Sequence, residues 1–144
     1  MMMKKIAIGS DHRGLLYKQS IKKLLKIYQW IDVGTYQAER TDFPDYANKV
    51  VQLIKAKEAA EGVLLCGSGN GMAIAANRHK GIYAALAFNS EIALLSRQHN
   101  NANILVIPAD FVSLEMALAM ITAWQETKFL EDRYQARIDM IDAL

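Results

Sequence analysis

Short apolar runs alternate along the chain with longer stretches in which apolar residues recur every three or four positions. The first run, 5–9 (KIAIG), reads as a buried strand. Residues 14–27 follow as a helix, with Leu15, Leu16, Ile21, Leu24 and Leu25 near helical spacing. A second strand over 29–33 stops at Gly34, and a polar loop covers 35–42. Pro44 stands where a first-turn proline is tolerated, so a helix is predicted over 46–60. The same reading predicts strands over 62–66, 82–88 and 103–107, and helices over 72–78, 90–98, 113–127 and 131–143. Ser90 and Ser113 are candidate helix caps.

The strands are mostly continuous and apolar, as expected where helices cover both faces of a sheet. Strand–helix alternation implies right-handed crossovers. The predicted fold class is α/β: a three-layer αβα sandwich on a five-stranded parallel, Rossmann-like sheet, as a single domain over 1–144. Ligands of such sheets bind at the carboxyl ends of the strands, near the point where strand order reverses. The strand-exit loops 10–14, 34–45, 67–71, 89–90 and 108–111 are therefore the places to search.

Composition narrows the class. Of the 144 residues, 52% are hydrophobic and 22% charged, an ordinary globular balance. A formal charge of +2 is too small for a nucleic-acid protein, and the basic stretch from Lys18 to Lys26 reads as the solvated face of a helix. The single cysteine, Cys66, cannot form an internal disulfide, which favours a reducing, cytoplasmic setting. The N-terminal residues lack the apolar core of a signal peptide, and no apolar run reaches the roughly 18 residues of a membrane span. The triple-methionine start is given no function.

The sharpest local feature is Cys66-Gly67-Ser68-Gly69-Asn70-Gly71, three glycines in five residues just before a predicted helix. Such a loop turns its amides inward, and the positive end of the helix adds to them, so it suits a phosphate or a developing enediolate oxygen. A dinucleotide fingerprint would need glycine where Met72 stands, and the Gly-Lys-Ser/Thr of a Walker loop is missing. A cysteine-dependent phosphatase loop would need arginine at that same Met72 position. Two readings of Cys66 stay open: core packing at a strand end, or a thiol whose pKa the loop amides and helix terminus lower.

Three other clusters are candidates. Asp11 either caps the first helix or, with His12, faces the same cleft as the glycine loop and binds hydroxyls and a phosphate. His99 and Asn100 follow the fourth predicted helix; His99 is a dipole partner or a ligand contact, and the amides of Asn100, Asn101 and Asn103 suit a hydroxyl-rich ligand. Arg133 and Arg137 are four apart on the last helix, so they share one face, either solvated or as a two-pronged phosphate grip.

Taken in order, IAIGSDHRG at 6–14, DVGTY at 32–36, ERTDFPDYA at 39–47, GVLLCGSGNGMAIAANRHKGI at 62–82, SRQHNNAN at 96–103 and RYQAR at 133–137 resemble the type B ribose-5-phosphate isomerases of the ribose/galactose isomerase family. The resemblance spans almost the whole chain. It implies a homodimer, sometimes paired into a homotetramer, with active sites at the dimer interface and the last helix contributing to both. It implies interconversion of ribose 5-phosphate and ribulose 5-phosphate without metal or organic cofactor. By position, Cys66 corresponds to the base that moves the proton between C1 and C2, and His99 to the group that opens the sugar ring. Asp11, His12 and Asn100 correspond to substrate contacts, Gly67, Ser68, Gly69, Asn70 and Gly71 to the loop around the enediolate, and Arg133 and Arg137 to phosphate ligands. Ser68 is placed to hydrogen-bond an oxygen along this path.

One branch of the family uses a glutamate directly after the glycine loop and has no cysteine at position 66; here that position is Met72, so the thiol is the expected base. The chain departs from the family pattern at Asp110, where relatives carry a phosphate-binding arginine, and at Tyr134, where many have histidine. A six-carbon sugar phosphate such as allose 6-phosphate or galactose 6-phosphate is the alternative substrate. A non-catalytic sugar-phosphate-binding subunit is the alternative of a different class.

Overall fold

In the computed structural model, residues 3–144 are described; the start of the methionine run lies outside them. The strands β1 (Lys5–Ser10), β2 (Gln29–Asp32), β3 (Glu61–Cys66), β4 (Ala84–Leu86) and β5 (Ile104–Pro108) are all parallel, in the order β2-β1-β3-β5-β4. The helices are α1 (Leu15–Leu24), α2 (Phe43–Lys55), α3 (Asn70–Asn77), α4 (Ser90–Asn100), α5 (Leu114–Glu126) and α6 (Asp132–Asp142).

The period-two alternation of each strand builds one core per face. Ile6 and Ile8 of β1, Val63 and Leu65 of β3, and Leu105 and Ile107 of β5 meet Ile21, Met120, Ile121 and Trp124 on one side. Ala7, Leu64, Cys66, Ile104 and Val106 meet Val50, Val51, Met72 and Ala76 on the other. Full burial of one such aliphatic side chain contributes about 1.5–3 kcal/mol. The chain steps from β1 outward to β2 and returns on the opposite side of β1 to make β3. The strand order therefore reverses between β1 and β3, and a crevice opens at their carboxyl ends.

The three-layer α/β expectation holds, and its errors are local. β4 is three residues, not seven, because Asn103 takes the Tyr83 amide (Oδ1 accepts at 2.8 Å) and bonds Gly81 O through Nδ2 at 2.9 Å. Asn103 is thus occupied structurally rather than presented to a ligand. α2 begins at Phe43, with Pro44 in its first turn, and ends at Lys55; the positive φ of Lys57 (60°) takes the chain out of the helix. α4 runs to Asn100, so His99 and Asn100 lie in its last turn and Asn101 is its left-handed cap. Its N-cap is Asn89, whose Oδ1 accepts from Ile92 N at 2.9 Å, not Ser90. Ser113 does cap α5, accepting from Met116 N at 3.0 Å.

The predicted solvated face of α1 also needs correction at its first member. Lys18 is fully buried, and its Nζ lies 2.6 and 2.7 Å from the two carboxylate oxygens of Asp32. Lys22 reaches the same carboxylate at 2.8 Å. A buried ammonium demands such a partner, and the acid at the end of β2 supplies it. Among the described residues no helix is long and apolar enough to cross a membrane.

Candidate functional site

The turn after β1 is built by Asp11. Its Oδ1 accepts from Arg13 N at 2.9 Å and Gly14 N at 3.2 Å, closing a single 3₁₀ turn at His12–Gly14 ahead of α1. Position 14 must be glycine, since a Cβ there would lie 2.6 Å from Leu65 Cβ on β3. That close approach sets Asp11 beside the end of β3. His12 accepts from Thr41 N at 3.3 Å through Nδ1, which puts the ring proton on Nε2 and ties the β2–α2 loop to this turn.

The glycine loop leaves β3 and enters α3 through Gly69, whose φ of +80° is the left-handed conformation that glycine adopts without strain. A side chain at Gly69 would collide with Leu86. Ser68 Oγ accepts from Asn70 N at 3.3 Å and steadies the start of α3. The exit of β5 closes onto this loop: Ala109 N donates to Cys66 O at 2.9 Å and Asp110 N to Gly67 O at 3.0 Å.

These elements enclose an open cleft of about 410 Å³ lined by Asp11, Arg13, Phe43, Cys66, Gly67, Ser68, Gly71, Asp110 and Phe111. Cys66 is 5% exposed and sits at its base. Burial pushes the Cys66 thiol above its ordinary value, and the Asp11 and Asp110 carboxylates add to that rise; hydrogen bonds from the Met72 and Gly69 amides oppose it. The loop amides pull the thiol downward, the direction the sequence predicts. The expected net lowering of its pKa is not found, because desolvation outweighs them.

His99, Arg133 and Arg137 form a second group at α4 and α6, whereas Asn100 lines a separate hollow with Tyr83 and Ile141. The His99 ring stacks on Tyr134 with centroids 4.4 Å apart and planes 9° from parallel. The Arg133 and Arg137 guanidiniums lie 4.8 and 5.6 Å from the centre of that same ring, so the two arginines do share a face. Arg133 Nη2 also donates to Tyr134 Oη at 2.9 Å. Tyr134, a departure from the family pattern, thus serves as the platform for three cationic or ionisable side chains. α6 is fixed to the body by Leu130 N donating to Gln98 O at 3.0 Å and Tyr83 Oη donating to Asp142 at 2.7 Å. His12, Gly69, Asn70, His99, Asn100, Arg133 and Arg137 are not in the wall of the Cys66 cleft within one protomer.

Sequence reasoning missed three members of that wall. Arg13 stands inside the quoted SDHRG motif, and its position after the capping Asp11 was the available signal. Phe43 and Phe111 flank the cleft from α2 and from the turn after β5, and no periodic pattern marks either. Phe43 packs where a Cβ on Gly71 would come within 2.6 Å of its ring. Asp110, the departure from the family pattern, accepts from Arg13 Nε at 2.9 Å, so its carboxylate is paired with an arginine. Among the described residues no three His, Cys, Asp or Glu side chains are grouped to hold a metal ion.

Comparison with known proteins agrees with this geometry. The profile of the Ribose/Galactose Isomerase family matches residues 6–141. Ribose-5-phosphate isomerase B of Escherichia coli is 40% identical over 144 residues, covering 99% of this chain and 97% of its own. The crystal structure of a ribose 5-phosphate isomerase from Thermotoga maritima superposes with a TM-score of 0.97 at 46% identity, covering 99% of this chain and all of that one (100%). Ribose-5-phosphate isomerase B from Mycoplasma genitalium, solved with bound ribulose-5-phosphate, superposes with a TM-score of 0.94 at 35% identity, over 99% of this chain and 97% of that one.

Proposed function

From the premise that this chain belongs to the ribose/galactose isomerase family, we propose that Cys66 is the base with which it interconverts ribose 5-phosphate and ribulose 5-phosphate. The chain is an aldose–ketose isomerase of the type B ribose-5-phosphate kind. One observation carries the assignment of the base. Cys66 lies in the wall of the cleft at the end of β3, beside Asp11 and Ser68 and directly ahead of the glycine loop that opens α3.

The Cys66 thiolate takes the proton from C2 of the open-chain aldose. The C–H electrons form the C1–C2 double bond, and the carbonyl electrons move onto O1, giving an enediolate. The amides of the glycine loop stabilise the oxygen charge as it develops. A proton passes from O2 to O1, the electrons left on O2 form the C2 carbonyl, and the C1–C2 double-bond electrons take the proton back from sulfur at C1, which restores the thiolate. A positioned base contributes about 10²–10⁴-fold, and the amide cradle carries much of the remainder.

His99, Asn100, Arg133 and Arg137 complete the site from a second copy of the chain, in a homodimer or homotetramer. Two features favour that assembly. The grouped side chains on α4 and α6 lie outside the cleft of their own protomer, and exposed aromatic residues stand at its rim, Phe111 being 71% exposed. In this arrangement His99 opens the sugar ring, and the paired guanidiniums hold the phosphate, a planar fork suited to its oxygens.

Incubation with ribose 5-phosphate in the presence of EDTA is expected to yield ribulose 5-phosphate; silence at high enzyme concentration rejects the reading. A parallel incubation with allose 6-phosphate measures any six-carbon preference. His99→Asn is expected to impair cyclic substrate more than the open-chain form, and equal loss on both counts against ring opening. Mixing Cys66→Ala and His99→Asn subunits is expected to restore activity, because a mixed dimer contains one intact site. Failure of exchanged subunits to recover turnover removes the shared site.

A further inference from the structure

Arg13 is held at both ends by carboxylates. Asp11 Oδ1 accepts from its backbone amide at 2.9 Å, and Asp110 Oδ2 accepts from its Nε at 2.9 Å. The Asp110 backbone is itself anchored, through its amide, to Gly67 O at 3.0 Å. The arm of Arg13 lies against the glycine loop, where a Cβ on Gly67 would come within 2.9 Å of both its Cδ and its Nε. Asp110 engages only Nε, and among the described residues neither terminal nitrogen of Arg13 has a hydrogen-bond acceptor. The side chain is 55% exposed, and Asp110 is 39% exposed. A pair so open to water adds little to folding, so its ordering serves the cleft rather than the core.

We propose that Arg13, oriented by Asp110, binds the phosphate of the substrate and sets the preference of the cleft for a phosphorylated sugar. The proposal deepens the isomerase reading and rests on it. Among the charged side chains that one protomer brings to the cleft wall, Arg13 is the cation, beside the carboxylates Asp11 and Asp110; it adds to the guanidiniums supplied by the second copy. Arg13 cancels the charge of Asp110 and leaves two terminal nitrogens in a planar fork, the geometry that pairs with two phosphate oxygens. The acid at position 110 thereby becomes a positioning residue for a cation supplied from another loop, 97 positions away in sequence.

The test compares wild type, Arg13→Gln, Arg13→Lys and Asp110→Asn. Steady-state kinetics use ribose 5-phosphate, and calorimetric titration uses inorganic phosphate. Arg13→Gln is expected to raise KM about 10- to 100-fold, with kcat changed much less, and to weaken inorganic phosphate by a similar factor. Arg13→Lys is expected to recover part of both losses, since it keeps the charge but not the fork. Asp110→Asn is expected to weaken both by a few-fold, because the guanidinium loses its orientation. Melting curves check that each variant is folded, and Arg13 is exposed enough for substitution to leave the core intact. Unchanged KM and phosphate affinity in Arg13→Gln, or a fall in kcat alone, would overturn the proposal. So would the absence of phosphate binding by the wild type. The titration needs no turnover, so a silent isomerase assay rejects the function while phosphate binding still judges Arg13.

Discussion

Cys66→Ala is expected to cut turnover by about 10²–10⁴-fold, with the melting temperature shifted by no more than about 5 °C. The sulfur packs against the α2–α3 face of the sheet, and alanine keeps the strand and its backbone hydrogen bonds, so fold and chemistry separate cleanly at this position. The same residue predicts a pH profile. Burial raises the thiol, the carboxylates of Asp11 and Asp110 raise it further, and the amides of Met72 and Gly69 only partly offset them. The deprotonated sulfur is the active form, so kcat/KM falls as pH drops through the thiol pKa. The rising limb is expected on the alkaline side of an ordinary cysteine at about 8.5. Near-normal turnover in Cys66→Ala, or a wild-type profile flat from about pH 6 to 10, removes Cys66 from the proton transfer.

Asp32→Ala is expected to destabilise the protein by about 3–5 kcal/mol, measured by urea denaturation. It strands the Lys18 ammonium, which is fully buried. Burial pushes Lys18 below its ordinary value, although the hydrogen bond and charge of Asp32 pull it upward. Burial also raises Asp32, but hydrogen bonds from Lys18, Lys22 and the Gly34 amide outweigh it and hold the carboxyl below its ordinary 3.8. The sign follows from that depression. The stabilisation from Asp32 is fully present above pH 3.8 and is lost as pH falls through the lower folded value. The double variant Lys18→Met, Asp32→Leu removes both charges and is expected to recover most of the loss. If the single Asp32→Ala variant is within about 1 kcal/mol of wild type, the pair is not the anchor described here.

The two predictions show where sequence was legible and where it was not. Cys66, the glycine loop and the capping Asp11 are marked by local sequence, although Leu65 of β3 and the 109–110 turn fix where they sit. Lys18 was misread because a lysine four residues from another on a helix looks solvated; only the third dimension brings Asp32 beneath it. β4 was overestimated because the apolar run 82–88 carries no sign that Asn103 will claim the Tyr83 amide. The cleft wall was read incompletely for the same reason. Arg13 meets Asp110 through tertiary contact alone, and Phe43 and Phe111 acquire meaning only when α2 and the β5 turn face each other across the loop. Helix phase was legible only in part, since of the apolar residues that mark α1 Ile21 is buried while Leu16 and Leu24 are exposed, and a helix end depends on one cap or one positive φ.

The strand order carries a consequence for synthesis. β5 is translated last of the five strands yet occupies the gap between β3 and β4, neither of which bonds to the other. A nascent chain that has emerged only through residue 103 holds two sheet edges with no partner, the kind of edge that invites pairing with another polypeptide. It also lacks the 109–110 turn that braces the glycine loop. A chain that stops short of β5 therefore lacks Asp110 and Phe111 of the cleft wall, and docking of one central strand is what completes the sheet.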